Sequence, residues 1–224
     1  MQLAPAEART RRPAIPLRTG LVFLLLAGLL LALVVAEWGP LMSLDRAVAD
    51  GLHRRAVADP GLTRVNRVLT DRVWDPWTMR ALLAVTVGVL LWRGERLLPL
   101  WVAATSAVGT AVQQALKSAV GRDRPRWPDP VDSADYAAFP SGHALSVTVA
   151  FGLLVWLLAL HGAGRRVRNA VIAAGVASAL GVGFTRLFLG VHWFSDVVGG
   201  WLIGVAVVTL SAAAHGRWAL NRRG

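Results

Sequence analysis

The chain is expected to be an all-α polytopic membrane protein, a six-transmembrane-helix bundle with short extracytoplasmic amphipathic helices. Three observations predict this class. Hydrophobic residues fill 55% of the 224 positions and the mean hydropathy is +0.51, more apolar material than one soluble core requires. The apolar residues gather into six stretches, most of them about as long as the 17 to 25 residues that cross a bilayer core. The arginines are dispersed between those stretches, which places a net charge of +11 at a membrane surface and argues against nucleic acid as a partner.

The first stretch, Leu17 to Trp38, follows Arg9, Arg11, Arg12 and Arg18. Val34 and Ala36 resemble signal-peptide cleavage positions, but the apolar run is too long for a typical signal core and reads as a retained span. Residues 37–77 form a long connection without low complexity. In it Leu41, Leu44, Val48 and Leu52, then Leu62, Val65, Leu69 and Val73, recur at helical spacing, predicting two amphipathic helices on the outer surface. Such helices either cover the bundle or line a lateral entrance for lipid. The second stretch, Thr78 to Trp92, is short for a span unless it starts nearer Trp74. Leu97 to Val120, Ala144 to His161, Val167 to Leu187 and Val197 to His215 complete the set.

With six spans, the arginines before the first span, Arg93 and Arg96, the group Arg165, Arg166 and Arg168, and the tail arginines Arg217, Arg222 and Arg223 all share one face. The positive-inside rule makes that face cytoplasmic, with both termini. The expected organisation is a disordered cytoplasmic N-terminus over 1–16, one six-span domain over 17–215 and a frayed cytoplasmic tail over 216–224. Trp38, Trp74, Trp77, Trp127 and Trp193 are expected near the outer headgroups.

Cysteine is absent and the five histidines are scattered, so disulfides, thiolate chemistry and a closed zinc site are excluded. No cofactor is expected. Chemistry must come from three polar clusters placed where apolar runs meet loops: Lys117 to Arg124-Pro125, Pro140-Ser141-Gly142-His143, and Thr185-Arg186 with His192 and Asp196. Parity puts all three on the outer face. Lys117 is the only lysine among 24 basic residues, and ionisable groups at membrane depth suggest function by default.

Each cluster has a bland reading beside a chemical one. Ser141 is placed to cap the fourth span, and Gly142 lets an anion approach the free N–H groups there; most isolated Pro-Ser-Gly triplets are only caps. His192 and Asp196 stand four apart, which stacks them on one helix face and lets the carboxylate hold Nδ1–H while Nε2 attacks; a lone Asp there is as often a helix cap. Arg186 either pairs with an anion or snorkels to the interface. Lys117 and Arg124 form a cationic clamp suited to phosphate oxygens. Arg122 and Arg126 are expected to face water.

The patterns Lys117-x6-Arg124-Pro125, Pro140-Ser141-Gly142-His143 and Thr185-Arg186-x5-His192-x3-Asp196, in this order, resemble the signature of the type 2 phosphatidic acid phosphatase superfamily. Thr185 stands where that family more often has serine, which keeps a hydroxyl. The resemblance implies a metal-independent membrane lipid phosphatase with His192 as nucleophile, forming a phosphohistidine. Asp196 would orient it and His143 would protonate the leaving group. Lys117, Arg124, Ser141, Gly142 and Arg186 would hold the phosphoryl oxygens. The implied substrate is a lipid phosphate or diphosphate: a polyprenyl diphosphate, phosphatidic acid, phosphatidylglycerol phosphate or a sphingoid phosphate. Arginine's dominance over lysine and the alanine-rich spans suggest a GC-rich bacterial genome, favouring the first two. Rival readings are a non-enzymatic lipid binder or transporter and a vanadate-dependent haloperoxidase-like enzyme. Oligomeric state has no signal in the sequence.

Overall fold

The computed structural model describes residues 17–221. The expected disordered N-terminus over 1–16, with Arg9, Arg11 and Arg12, and the tail arginines Arg222 and Arg223 lie outside the described residues. Among the described residues the chain is all helical: α1 (Leu17–Val35), α2 (Gly39–Ala58), α3 (Pro60–Val68) continuing into a π-helical turn (Leu69–Val73), α4 (Pro76–Trp92), α5 (Leu97–Val120), α6 (Gly142–Leu160), α7 (Arg165–Phe188) and α8 (Phe194–Asn221). Four of them, α1, α6, α7 and α8, are long and apolar enough to cross a membrane. The last helix continues past His215 to Asn221, so the segment expected to fray from 216 is helical as far as it is described.

Helix boundaries follow local chemistry. Proline at the first turn starts α2, α3 and α4, where a missing N–H costs nothing. Asp59 and Asp75 cap α3 and α4 by accepting from Leu62 N and Trp77 N. Gly121, with φ of 61°, ends α5 in the left-handed conformation that glycine adopts without strain, and so turns the following arginines out of the helix.

Helix α6 is the centre, packing against α4, α5, α7 and α8; an apolar sequence all round suits that position. Its contact with α8 is close because α8 presents small residues. A Cβ on Gly200 would lie 2.6 Å from the Ser141 carbonyl and 2.9 Å from Ala144 Cβ, and one on Gly204 would lie 2.8 Å from Thr148 Cβ. The pair is a small-xxx-small seam, which brings backbones together in lipid. In contrast, α1 lies along α8 and leaves Leu21, Val22, Leu24, Leu25 and Leu29 exposed.

The side of α2 and α3 turned to the bundle mixes polar and apolar residues: Val48 and Leu52 pack against the cluster of Ala144, Leu187 and Val197, while Arg46, Arg54, Arg55, Arg64 and Arg67 are exposed. Asp45, Ala49, His53 and Ala56 of α2, and Thr63, Asn66 and Thr70 of α3 and its π-turn, are buried, whereas Leu44, Leu62, Val65 and Val73 of the apolar series are exposed. The tryptophans divide similarly. Trp38 and Trp77 are exposed, but Trp127 stacks on His53 and donates to the Gly190 carbonyl, and Trp74 packs on the core against Gly181.

The arginine-bearing connections share one end of the bundle. Glu95, between α4 and α5, sits 2.7 Å from Nε2 of His161 at the end of α6. The three polar clusters occupy the other end.

Candidate active site

Four helix ends meet there: the C-termini of α5 and α7 and the N-termini of α6 and α8. Lys117 is in the last turn of α5, His143 in the first turn of α6, Arg186 in the last turn of α7 and Asp196 in the first turn of α8, while Arg124 and His192 lie in the loops beside them. His143 is within electrostatic reach of Arg186, His192, Arg124 and Lys117 at once. The three clusters of the sequence are therefore one cluster in space.

His192 is 2% exposed. Its Nδ1 is 3.3 Å from Asp196 Oδ2 and its Nε2 is 3.3 Å from a terminal nitrogen of Arg124. Burial, followed by Arg124, Arg186 and Lys117, holds its pKa well below the ordinary imidazole value. A neutral ring with Nδ1–H on the carboxylate leaves the Nε2 lone pair directed at the cations. Asp196 also accepts from Trp193 N at 2.8 Å, so it serves as helix cap and as histidine partner, the two roles its position offered.

The cations are held by backbone oxygens. Lys117 Nζ donates to the Ala137 carbonyl, and Arg124 donates to the carbonyls of Val191, Tyr136 and Asp135. Their charges stay available, since neutral carbonyls fix them without cancelling them. Among the described residues Arg186, 4% exposed, hydrogen-bonds only Thr70 Oγ1, at 3.5 Å, and its buried Nε has no partner.

Ser141 sits at the N-cap position of α6 but makes no side-chain cap bond. Its buried Oγ has no partner among the described residues, while its N–H donates to the Asp196 carbonyl at 2.9 Å, tying the two helix starts together. Gly142 leaves room for Gln113, whose Nε2 would stand 2.8 Å from an added Cβ. Gln113 was not singled out in the sequence, although it lies one turn before Lys117. Asp75 was also missed as a site neighbour: its Oδ2 is 3.9 Å from His143 Nε2.

Arg122 does not face water. Its two terminal nitrogens donate to Asp45 Oδ2 at 2.7 Å and Asp196 Oδ1 at 2.6 Å, with the side chain 11% exposed. A guanidinium fork explains the difference, since it can bridge two carboxylates that no local sequence pattern links. Arg126 does face water, paired with Asp123 and 83% exposed. Among the described residues no three His, Cys, Asp or Glu side chains cluster as a metal ion needs.

Such a site, with a buried neutral imidazole, a carboxylate behind it and unpaired donors before it, suits phosphoryl chemistry. The comparisons agree. Phosphatidylglycerophosphatase B of Bacillus subtilis (strain 168) is 26% identical over 199 residues, spanning 87% of this chain and 92% of that protein. An undecaprenyl-diphosphatase of Sulfolobus acidocaldarius is 38% identical over 82 residues, covering 34% of this chain and 32% of the relative. The crystal structure of a transmembrane PAP2-type phosphatidylglycerolphosphate phosphatase from Bacillus subtilis superposes with a TM-score of 0.77, covering 89% of this chain and 96% of that one. At 20% identity this last likeness is one of fold. The model of the PAP2 superfamily matches residues 98–219, more than half the chain and all three clusters, and the protein is therefore a multi-pass membrane member of that superfamily.

Proposed function

We propose that the protein hydrolyses a lipid phosphate monoester or diphosphate through a phosphohistidine, without a metal ion. The observation that carries this reading is the pair of buried donors without partners among the described residues, Arg186 Nε and Ser141 Oγ, on helix ends beside the loop that carries His192. Buried donors are paired as a rule, and a phosphoryl group supplies the acceptors they need.

In the proposed reaction Nε2 of His192 attacks phosphorus in line and the bond from phosphorus to the leaving oxygen breaks. The departing oxygen takes a proton from His143. Water then attacks the phosphohistidine, giving a proton to His143, and inorganic phosphate leaves as His192 is restored. Lys117, Arg124 and Arg186 neutralise the equatorial oxygens, the task that metal ions perform in other phosphoryl-transfer sites.

The substrate is proposed to be a lipid because the site lies at the end of an apolar bundle. A groove of about 690 Å³ between α1, α5 and α8 begins at Leu116 and Phe139, beside the site, and continues to Trp101 and Ala214; it suits a hydrocarbon tail. We read α4 and α5 as spans, for six in all, and α2 and α3 as helices lying in the outer interface with their exposed apolar residues toward lipid. Arginine-rich connections opposite the site support cytoplasmic termini and an extracytoplasmic active site. Because the relative matched along most of its length is a phosphatidylglycerophosphatase, we put phosphatidylglycerol phosphate first among test substrates, with polyprenyl diphosphate and phosphatidic acid beside it.

The test is a panel of these lipids assayed in detergent with chelator present. The expected result is inorganic phosphate release that His192→Ala abolishes. Release that requires added metal and survives His192→Ala overturns the mechanism, and lipid movement without release identifies a carrier.

A further inference from the structure

Helix α2 is far from the three motifs in sequence, yet it delivers a carboxylate to the back of the catalytic pair. Asp45 is 1% exposed. Its Oδ1 accepts from Ser195 N at 2.8 Å, and its Oδ2 accepts from Ser195 Oγ at 2.6 Å and from Arg122 at 2.7 Å. It thus caps the start of α8, the helix that carries Asp196, from 150 residues away. Arg122 completes the link. One terminal nitrogen donates to both Ser195 Oγ and Asp196 Oδ1, the other to Asp45, and the Trp193 ring lies 5.7 Å from the guanidinium carbon. Every oxygen of the two carboxylates is therefore engaged, and Asp196 can turn only by breaking a bond.

Charge is arranged as well as geometry. Asp45, Arg122 and Asp196 together carry one net negative charge, from two carboxylates and one guanidinium. Without Asp45, Arg122 would cancel the charge of Asp196 and leave the histidine a neutral partner. Around the outer side of Arg122, Glu37, Arg46 and Asp123 line a cavity of about 540 Å³. On its inner side His192 faces Asp196 from α8, Arg124 from the loop, Lys117 from α5, Arg186 from α7 and His143 from α6.

We propose that Arg122 and Asp45 are positioning residues for the reaction: they lock Asp196 Oδ2 onto Nδ1 of His192 and keep a single net negative charge behind the attacking imidazole. The inference rests on the hydrolase reading for its kinetic consequences, but the hold on His192 is observable without turnover. A misplacement of about 1 Å in a reacting group can cost about a hundredfold in rate, and kcat should carry the loss with KM little changed, because neither residue reaches the substrate.

The experiment compares wild type with Arg122→Gln, Arg122→Lys and the double variant Arg122→Gln/Asp45→Asn, as full-length protein in detergent. Nitrogen-15 NMR of the labelled histidines follows the ring of His192, assigned with His192→Ala, and kcat, KM and thermal midpoint are measured beside it. Arg122→Gln leaves two negative charges behind the ring and is expected to raise its titration midpoint. Adding Asp45→Asn restores one negative charge and returns the midpoint toward wild type, while kcat stays about tenfold or more below it because the geometry is still lost. Arg122→Lys keeps the charge, and its midpoint stays near wild type while kcat falls. An unmoved midpoint in Arg122→Gln, or no return in the double variant, overturns the proposal. So does a loss of kcat that merely tracks the folded fraction. Midpoints that move as stated in a protein that releases no phosphate leave the network standing and overturn the hydrolase reading instead.

Discussion

A terminal nitrogen of Arg124 stands 3.3 Å from Nε2 of His192, so the proposed nucleophile and one proposed phosphate ligand converge on the same point. The contact favours an unprotonated Nε2, because a guanidinium can only donate. Burial and then Arg124 hold the His192 pKa below its ordinary value, and Arg124→Gln removes the second of these causes. The acid limb of kcat/KM is expected to move to higher pH in that variant, with kcat/KM falling about a hundredfold or more. Substrate ionisation is common to both proteins and cancels in the comparison. An acid limb that stays in place or moves down would show that Arg124 does not act on the ring.

Stability carries the same signature. Below about pH 6.5 the unfolded imidazole binds a proton that the folded ring of His192 resists, so the unfolded state gains protons and acidification lowers the thermal midpoint. The contribution is present above the unfolded pKa and lost as pH falls toward the folded one. His192→Asn is expected to flatten part of that decline, and melting curves of the two proteins between pH 7 and 5 check it.

Arg186 opposes stability to function. Among the described residues its buried Nε has no hydrogen-bond partner and its one hydrogen bond is a long contact to Thr70, with Asp132, Asp71 and Asp75 acting on it only at a distance, an arrangement that folding alone does not favour. A buried charge with an unsatisfied donor carries a desolvation cost that an apolar side chain of similar volume does not. Arg186→Met is therefore expected to melt at the same or a higher temperature while losing phosphatase activity. Lys117→Ala and Arg186→Ala should raise KM and lower kcat together, since each cation binds the transferring group in both ground and transition states. A variant at Arg186 that loses both activity and stability would identify an ordinary packing residue.

Gly200 tests how closely α6 and α8 must approach. An added Cβ meets the Ser141 carbonyl at 2.6 Å, and backbone cannot swing aside as a side chain can. Gly200→Ala is expected to cost about 1 to 3 kcal/mol of stability. It should also reduce kcat, because the forced shift separates His143 on α6 from Asp196 on α8. Gly88→Ala, where nothing lies within 4 Å, is the matched control and should lower neither quantity.

How much of this was legible in the sequence depends on the distance over which each feature is encoded. Lys117, Arg124, Ser141, His143, Arg186, His192 and Asp196 stood out because each lies beside an apolar run, and helix parity alone put them at one end. The start of α5 and its end were read directly, since Leu97 follows a charged turn and Gly121 closes the helix. Arg122 was misassigned because its partner Asp45 is 77 residues away and an arginine in a polar loop has no local mark of burial. Which residues of α2 and α3 are buried was hidden for a related reason. An apolar stripe faces the core in water, but at a membrane surface it can face out, and periodicity is the same in both cases. The Gly200–Gly204 seam escaped because glycine spacing becomes meaningful only against the small residues of α6 opposite.

The proposed sidedness can be tested with unusual economy because the chain contains no cysteine. Single cysteines introduced at exposed positions are then the only thiols, and a membrane-impermeant maleimide reports which side each occupies. Asp129 is 60% exposed at its side chain and follows Trp127 on the site's end of the bundle, and Arg166 lies exposed in the first turn of α7 at the opposite end. Neither belongs to the proposed catalytic set. Asp129→Cys is expected to label in intact cells, and Arg166→Cys only after the membrane is opened. The reverse pattern would put the arginine-rich connections outside, against the positive-inside rule, and would mean that the enzyme draws its substrate from the cytoplasmic leaflet. Equal labelling of both in intact cells would deny that the helices separate the two ends across a bilayer. Phosphate release measured in the same cells ties the result to a folded protein, since a misassembled chain would label without turning over lipid.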